Sequence, residues 1–294
     1  MQKIIALLQL TRTGNLIIML ATLAFSYYCL TDYLTPDDLL NTRFILLALC
    51  VTLTAAAGYI INDYHDVNID LNNKPHKVVI GKSISRRWAM LLHFSFNGIA
   101  LLIGFYLNAY IALLVVLCIV LLWLYSVYFK RKFLSGNILV AALSAFVIVI
   151  LPLFNAQISS YLVWVYALFA FGITLIREIV KDAEDLRGDS KFNCKTLPIV
   201  MGIRKTKQAL SALLLVYSFL LLAHTFIANS FIPFRHQYGQ IIYSYYMLFF
   251  VLLPLIVLTY LVLKADVKAD FTRLSSLLKV IMLLGLLSML LIKV

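Results

Sequence analysis

Long apolar runs decide what this chain can become. Nine stretches of about 20 residues each, the length that crosses a bilayer as a helix, lie near 13–31, 41–61, 88–106, 108–128, 136–154, 160–177, 207–228, 240–263 and 274–292. In lipid the backbone must satisfy its own hydrogen bonds, and for segments of this length that means helices. The expected fold is therefore all-α: a polytopic membrane protein with nine transmembrane helices and cytosolic cap loops. A 63% hydrophobic share, 13% charge and a mean hydropathy of +0.96 exclude a soluble globule. The first run is too long, and too poor in small residues at its end, to be a removable signal peptide.

Acidic residues are concentrated. In NDYHDVNID, directly after the second run, Asn62, Asp66 and Asp70 stand four residues apart, so on a helix they share one face. In REIVKDAEDLRGD, after the sixth run, Glu178, Asp182, Asp185 and Asp189 again fall at helical spacing, as one stripe. Together with Asp63 and Glu184, these stretches hold most of the 13 acids in the chain. Each is followed by a basic loop: Lys74, Lys77, Lys82, Arg86 and Arg87 after the first, and Arg187, Lys191, Lys195, Arg204, Lys205 and Lys207 after the second. The repetition suggests a single membrane domain over 1–294 built from pseudo-repeat halves, roughly 1–130 and 131–294.

Basic residues show which way the chain faces. The chain has 25 Lys and Arg and a net charge of +12, yet only Arg43, Arg235 and Lys293 lie on the outer side if the N-terminus is cytosolic. Cytosolic loops carry such an excess. The expectation is a multi-pass cell-membrane protein with its N-terminus and both acid-rich loops cytosolic and its C-terminus outside. The surplus charge suits the headgroups of membrane lipids, and no nucleic-acid partner is implied. The four cysteines, Cys29, Cys50, Cys118 and Cys194, have no CxxC spacing and read as small apolar residues.

Acids at a membrane are costly and point to function. Oxygen donors in two stripes form a ligand array for a hard divalent cation, and Mg²⁺ commonly binds through a carboxylate or two plus substrate phosphates. With lysines and arginines around them, the stripes suit a metal-chelated diphosphate, and at a membrane the natural diphosphate carries a lipid tail. Metal and cations would stabilise charge on departing pyrophosphate. An ion-coupled transporter with two repeats is the alternative of another class, although transporter sites lie near the bilayer midplane and these acids fall at span ends. A CDP-alcohol phosphotransferase would show a DG and AR signature that is missing here.

At this point the chain resembles the UbiA superfamily of intramembrane prenyltransferases. The carriers are NxxxDxxxD at Asn62, Asp66 and Asp70, DxxxD at Asp185 and Asp189, and Lys74-Pro75 followed by Gly81. They continue with YSxxxKR at Tyr125, Ser126, Lys130 and Arg131, and KTLPIVMG from Lys195 to Gly202. RTGN at Arg12 departs from the Arg-Pro of many relatives. The resemblance implies a nine-helix, Mg²⁺-dependent enzyme that moves a prenyl group from a prenyl diphosphate donor to a lipophilic acceptor. It implies catalytic roles for Asp66, Asp70, Asp185 and Asp189, metal contacts from these with Asn62 and Asp182, and diphosphate contacts at Arg12, Lys74, Tyr125, Lys130 and Lys195. REIVKDxED is closest to the branch whose acceptor is geranylgeranylglyceryl phosphate; quinone-forming members, with 4-hydroxybenzoate or homogentisate as acceptor, have similar second motifs.

Overall fold

A computed structural model describes residues 2–31, 34–73, 75, 78–158, 160–227 and 238–293. The apolar runs are helices, and no strand occurs among the described residues. In chain order these are α1 (Gln2–Leu10), α2 (Thr13–Cys29), α3 (Thr42–Asn73), α4 (Arg86–Leu107), α5 (Ala109–Val127), α6 (Ser135–Phe154) and α7 (Ser160–Glu184). They are followed by α8 (Leu186–Lys191), α9 (Leu197–Ile227), α10 (Gly239–Tyr246), α11 (Leu253–Lys264), α12 (Lys268–Leu287) and α13 (Leu290–Lys293). A π-helical stretch, Met247–Leu252, joins α10 to α11 as one span.

Local chemistry sets several boundaries. Ser85 accepts a hydrogen bond from the Trp88 amide at 3.3 Å and caps α4. Asn108, alone between α4 and α5, accepts from the Tyr110 amide at 2.8 Å, so the third and fourth expected spans form the tight hairpin their spacing implies. Asn41 does the same for α3, accepting from the Arg43 amide at 2.9 Å.

Among the described residues eight helical units are long and apolar enough to cross a membrane. The ninth expected span, near 13–31, is α2, whose 17 residues reach span length only together with α1, across a bend of 59°. Arg12 makes the bend with left-handed backbone, φ 51° and ψ 51°. The span expected at 207–228 belongs to a longer α9, which starts at Leu197 and is kinked at Gly202 (φ 78°, ψ 158°).

The core is apolar and shared among helices: Leu47, Ile111, Ile148, Leu151, Ile173, Leu210 and Leu278 are all buried in one cluster. A second, smaller cluster brings Ala6 and Leu10 of α1 against Ile60, Val79, Ile80 and Ala89, laying α1 over the acidic end of α3. Large apolar side chains such as Leu102, Leu113, Phe219 and Tyr260 face outward. Such a surface would be a liability in water, and it belongs to a multi-pass membrane protein.

Candidate active site

Helix length carries the first acids beyond the hydrocarbon. At about 1.5 Å per residue the 32 residues of α3 reach about 48 Å, well over the roughly 30 Å of a bilayer core. With no proline between Thr42 and Asn73, the helix stays unbroken, and Asn62, Asp66 and Asp70 form the expected single stripe. The second stripe is different. α7 ends at Glu184 and Asp185 takes φ −96° and ψ 8°, with α8 starting after it. Glu178, Asp182, Asp185 and Asp189 are therefore not one continuous stripe, because the helix is interrupted at the third acid, Asp185.

The turn after α5, Phe129–Arg131, brings the cation. Gly136 lets this turn fold onto the start of α6: a Cβ there would lie 3.1 Å from the Lys130 Cα. The segment before α9 ties in as well, the Lys195 amide donating to the Arg131 carbonyl at 2.8 Å. Lys130 then reaches α3, where its ammonium pairs with Asp66 and stands 3.5 Å from Asn62 Oδ1. Burial works against the charge on Lys130, but Asp66, with Tyr125 behind it, outweighs this and holds the ammonium above the ordinary lysine range.

Arg12 completes the far side. Its Nη2 donates to Asp63 Oδ1 at 2.7 Å, and its guanidinium lies 5.1 Å from the centre of the Tyr59 ring. On α7, Glu178 is shared by Arg177 at 3.2 Å and Lys181 at 2.7 Å, and Asn137 of α6 donates to Asp182 at 2.8 Å.

These groups head a cavity of about 1040 Å³. Arg12, Asn62, Asp70, Tyr125, Lys130, Asp182, Asp185 and Asp189 all line it, so most of the residues picked out in the sequence meet here. Asp66 lies behind the wall, 2% exposed and held by Lys130. Lys195 is exposed and off the wall, although its neighbours Cys194 and Thr196 line it. Lys74 lies outside the described residues. Away from the acids the lining is largely apolar, with Met19, Val51, Leu114, Leu122, Val147 and Ile150.

A profile of the UbiA prenyltransferase family matches residues 17–286, nearly the whole chain. The chain belongs to that family. This UbiA protein is 30% identical over 263 residues to a digeranylgeranylglyceryl phosphate synthase of Korarchaeum cryptofilum, covering 89% of the chain and 90% of the relative. To one from Sulfurisphaera tokodaii it is 28% identical, covering 90% and 89%. A third, from Methanosphaera stadtmanae, matches at 33% over 56% of the chain, and the match spans only 60% of that relative. Among solved structures, one described as concerning digeranylgeranylglyceryl phosphate synthase in membranes superposes with a TM-score of 0.71 at 23% identity, covering all of both chains. A UbiA homolog from Archaeoglobus fulgidus bound to GPP and Mg²⁺ superposes at 0.67 with 16% identity, covering 97% and 99%. The chain is thus a prenyltransferase of the UbiA fold, and the transporter reading falls.

Sequence reasoning passed over several lining residues of this UbiA enzyme: Tyr59, Asp63, Asn137, Arg177 and Lys279. Asp63 was counted among the acids but lies off the stripe, and Asn137 carried no motif. Lys279 had one visible signal, a lysine inside the run 274–292. The donors suit a hard cation: amide and carboxylate oxygens. No group of three His, Cys, Asp or Glu among the described residues could hold a metal alone, so a divalent ion here would need substrate phosphate and water to complete its shell.

Proposed function

We propose that this enzyme transfers a geranylgeranyl group from its diphosphate to geranylgeranylglyceryl phosphate with the help of Mg²⁺. One observation carries the reading: acids from α3 and from α7–α8 converge, with Lys130, at the head of a largely apolar cavity. That arrangement suits a substrate with a doubly anionic head and a long hydrocarbon tail. The choice of acceptor is supported by relatives named digeranylgeranylglyceryl phosphate synthase that match over about nine tenths of the chain.

In the reaction the bond between prenyl C1 and the diphosphate oxygen breaks, its electron pair leaving with pyrophosphate. A bond from the acceptor's hydroxyl oxygen to C1 forms, and the hydroxyl proton is released. Asn62, Asp66 and Asp70 on one side and Asp182, Asp185 and Asp189 on the other would hold Mg²⁺ ions, each through one or two carboxylates and the diphosphate, and when bound these would offset charge on the departing pyrophosphate. For Asp66 this means exchanging Lys130 for the metal. Lys130, Tyr125 and Arg12 would then donate to the diphosphate oxygens, and Lys74 and Lys195 would reach the head from the two basic loops. The apolar walls would keep water from the allylic carbon. A cation formed by ionisation needs little help from a base, so a hydroxyl suffices as nucleophile.

The test is purified protein in detergent with Mg²⁺ and geranylgeranyl diphosphate, offered geranylgeranylglyceryl phosphate, 4-hydroxybenzoate or homogentisate at equal concentration. Product with the glycerol phosphate alone is expected. Product with an aromatic acceptor and none with the glycerol phosphate would overturn the acceptor assignment. The bias in basic residues further supports a cytosolic active end. A cysteine introduced at exposed Ser190 should resist an impermeant reagent applied outside intact cells, and strong labelling there would reverse the orientation.

A further inference from the structure

Two polar contacts stitch α6 to α7 along the wall of the cavity. Ser144 Oγ lies 3.0 Å from Thr174 Oγ1, and Asn137 Nδ2 donates to Asp182 Oδ2 at 2.8 Å. Asn137 and Ser144 stand two helical turns apart on α6, as do Thr174 and Asp182 on α7, so the contacts join one face of each helix. All four residues line the cavity. The start of α6 is fixed from the other side as well, because Gly136 packs on the turn that carries Lys130. Asn137, 8% exposed, therefore sits between that turn and a carboxylate of the second acidic segment. The acids of the two segments are held differently. Asp66 is neutralised by an ammonium, whereas Asp182 receives a neutral amide on Oδ2, and its Oδ1 takes no hydrogen bond among the described residues.

We propose that Asn137 is a positioning residue: it pins Asp182 by one oxygen and leaves the other for Mg²⁺ at the head of the cavity. This rests on the Mg²⁺-dependent reading above. Carboxylates that bind a metal are commonly hydrogen-bonded in turn, and the partner fixes the ligand's orientation. An amide suits the task because it donates without carrying charge, so Asp182 keeps its full attraction for a cation. A lysine in its place would have to be displaced first, as Lys130 is from Asp66. The competing role for Asn137 is interhelical glue, since polar side chains bond across packed helices in membranes. Two observations favour positioning. The register of α6 on α7 is already held by Ser144 and Thr174, two turns deeper, and the group that Asn137 holds is a carboxylate on the cavity wall.

The experiment measures metal affinity without turnover, on the full-length protein in detergent. Mn²⁺ stands in for Mg²⁺ and is followed by electron paramagnetic resonance, with a donor analogue in which sulfur replaces the bridging oxygen of geranylgeranyl diphosphate. Wild type is compared with Asn137→Leu, which keeps the size of the side chain and loses the donor, and with Asn137→Gln, which keeps an amide. In Asn137→Leu the Kd for Mn²⁺ should rise about 10- to 100-fold, the usual effect of removing a hydrogen-bond partner of a metal ligand. The Mg²⁺ concentration for half-maximal turnover should rise by the same factor, and Asn137→Gln should recover part of both. In an Asp182→Asn background Asn137→Leu should raise the Kd no further, because residues that act through one another are not additive. A lower unfolding temperature with an unchanged Kd would make Asn137 interhelical glue and overturn the proposal, as would a full further rise in the Asp182→Asn background. Should Asn137→Leu fail to fold, Asn137→Ala decides on the same readings. A wild type that binds no Mn²⁺ beside the analogue ends the metal reading and this one with it; a wild type that binds it as tightly as Asn137→Leu ends only this one.

Discussion

Arg12 and Asp63 meet at 2.7 Å across 51 residues of sequence. The contact fastens the bend between α1 and α2 to the last turns of α3, and it does so at a residue whose backbone is left-handed. A non-glycine residue in that conformation costs about 1–2 kcal/mol and persists when its surroundings hold it. Here an ion pair and the face of Tyr59 do so.

A double-mutant cycle of Arg12→Ala and Asp63→Ala, read by thermal unfolding in detergent, should therefore show coupling. Arg12 is 36% exposed, so solvent screening limits it to about 0.5–1 kcal/mol. Strictly additive losses would mean that the bend is held by packing of Ala6 and Leu10 alone.

Lys130 neutralises a carboxylate that water scarcely reaches, the Asp66 side chain being 3% exposed. Lys130→Met should lower stability by about 1–3 kcal/mol, the cost of stranding a buried charged acceptor, with Lys130's own 29% exposure keeping the loss from being larger. Adding Asp66→Asn should recover most of it, and millimolar Mg²⁺ should raise the unfolding temperature of Lys130→Met more than that of wild type, because ligands stabilise the state they bind. A Lys130→Met protein that unfolds like wild type, with or without Mg²⁺, would contradict this.

Much of this was legible in the residues because the physics is local. Apolar runs specify spans, and the stripe of Asn62, Asp66 and Asp70 could be counted because nothing before Pro75 interrupts α3. Counting failed at Asp185, where a register carried on to Asp189 assumed one helix and the chain starts a new one at Leu186. The pairing of Lys130 with Asp66 leaves no local trace, since it joins a turn and a helix 64 residues apart. Lys279 was hidden by averaging: one lysine hardly lowers the hydropathy of a twenty-residue run, though its cost in the membrane is large.

The apolar part of the cavity should set which donors fit. Val147 lines it from α6, and Val147→Trp would fill space needed by a long tail. We expect the kcat/KM for geranylgeranyl diphosphate to fall at least about tenfold, a typical penalty for misfit in an apolar pocket, while dimethylallyl diphosphate is used as in wild type. Equal losses for both donors would show that the tail runs elsewhere.

Whether the ends of α3 and α7–α8 form one site is tested most directly by pyrophosphate release from geranylgeranyl diphosphate in Asp70→Asn, Asp185→Asn and the double variant. Residues that act as a unit are strongly non-additive. Each single change should lower kcat by at least about 100-fold, as expected where charge stabilisation at the leaving group is lost. The double variant should be no slower than the slower single. Near-wild-type turnover in either single variant, or losses that multiply in the double, would contradict a shared site.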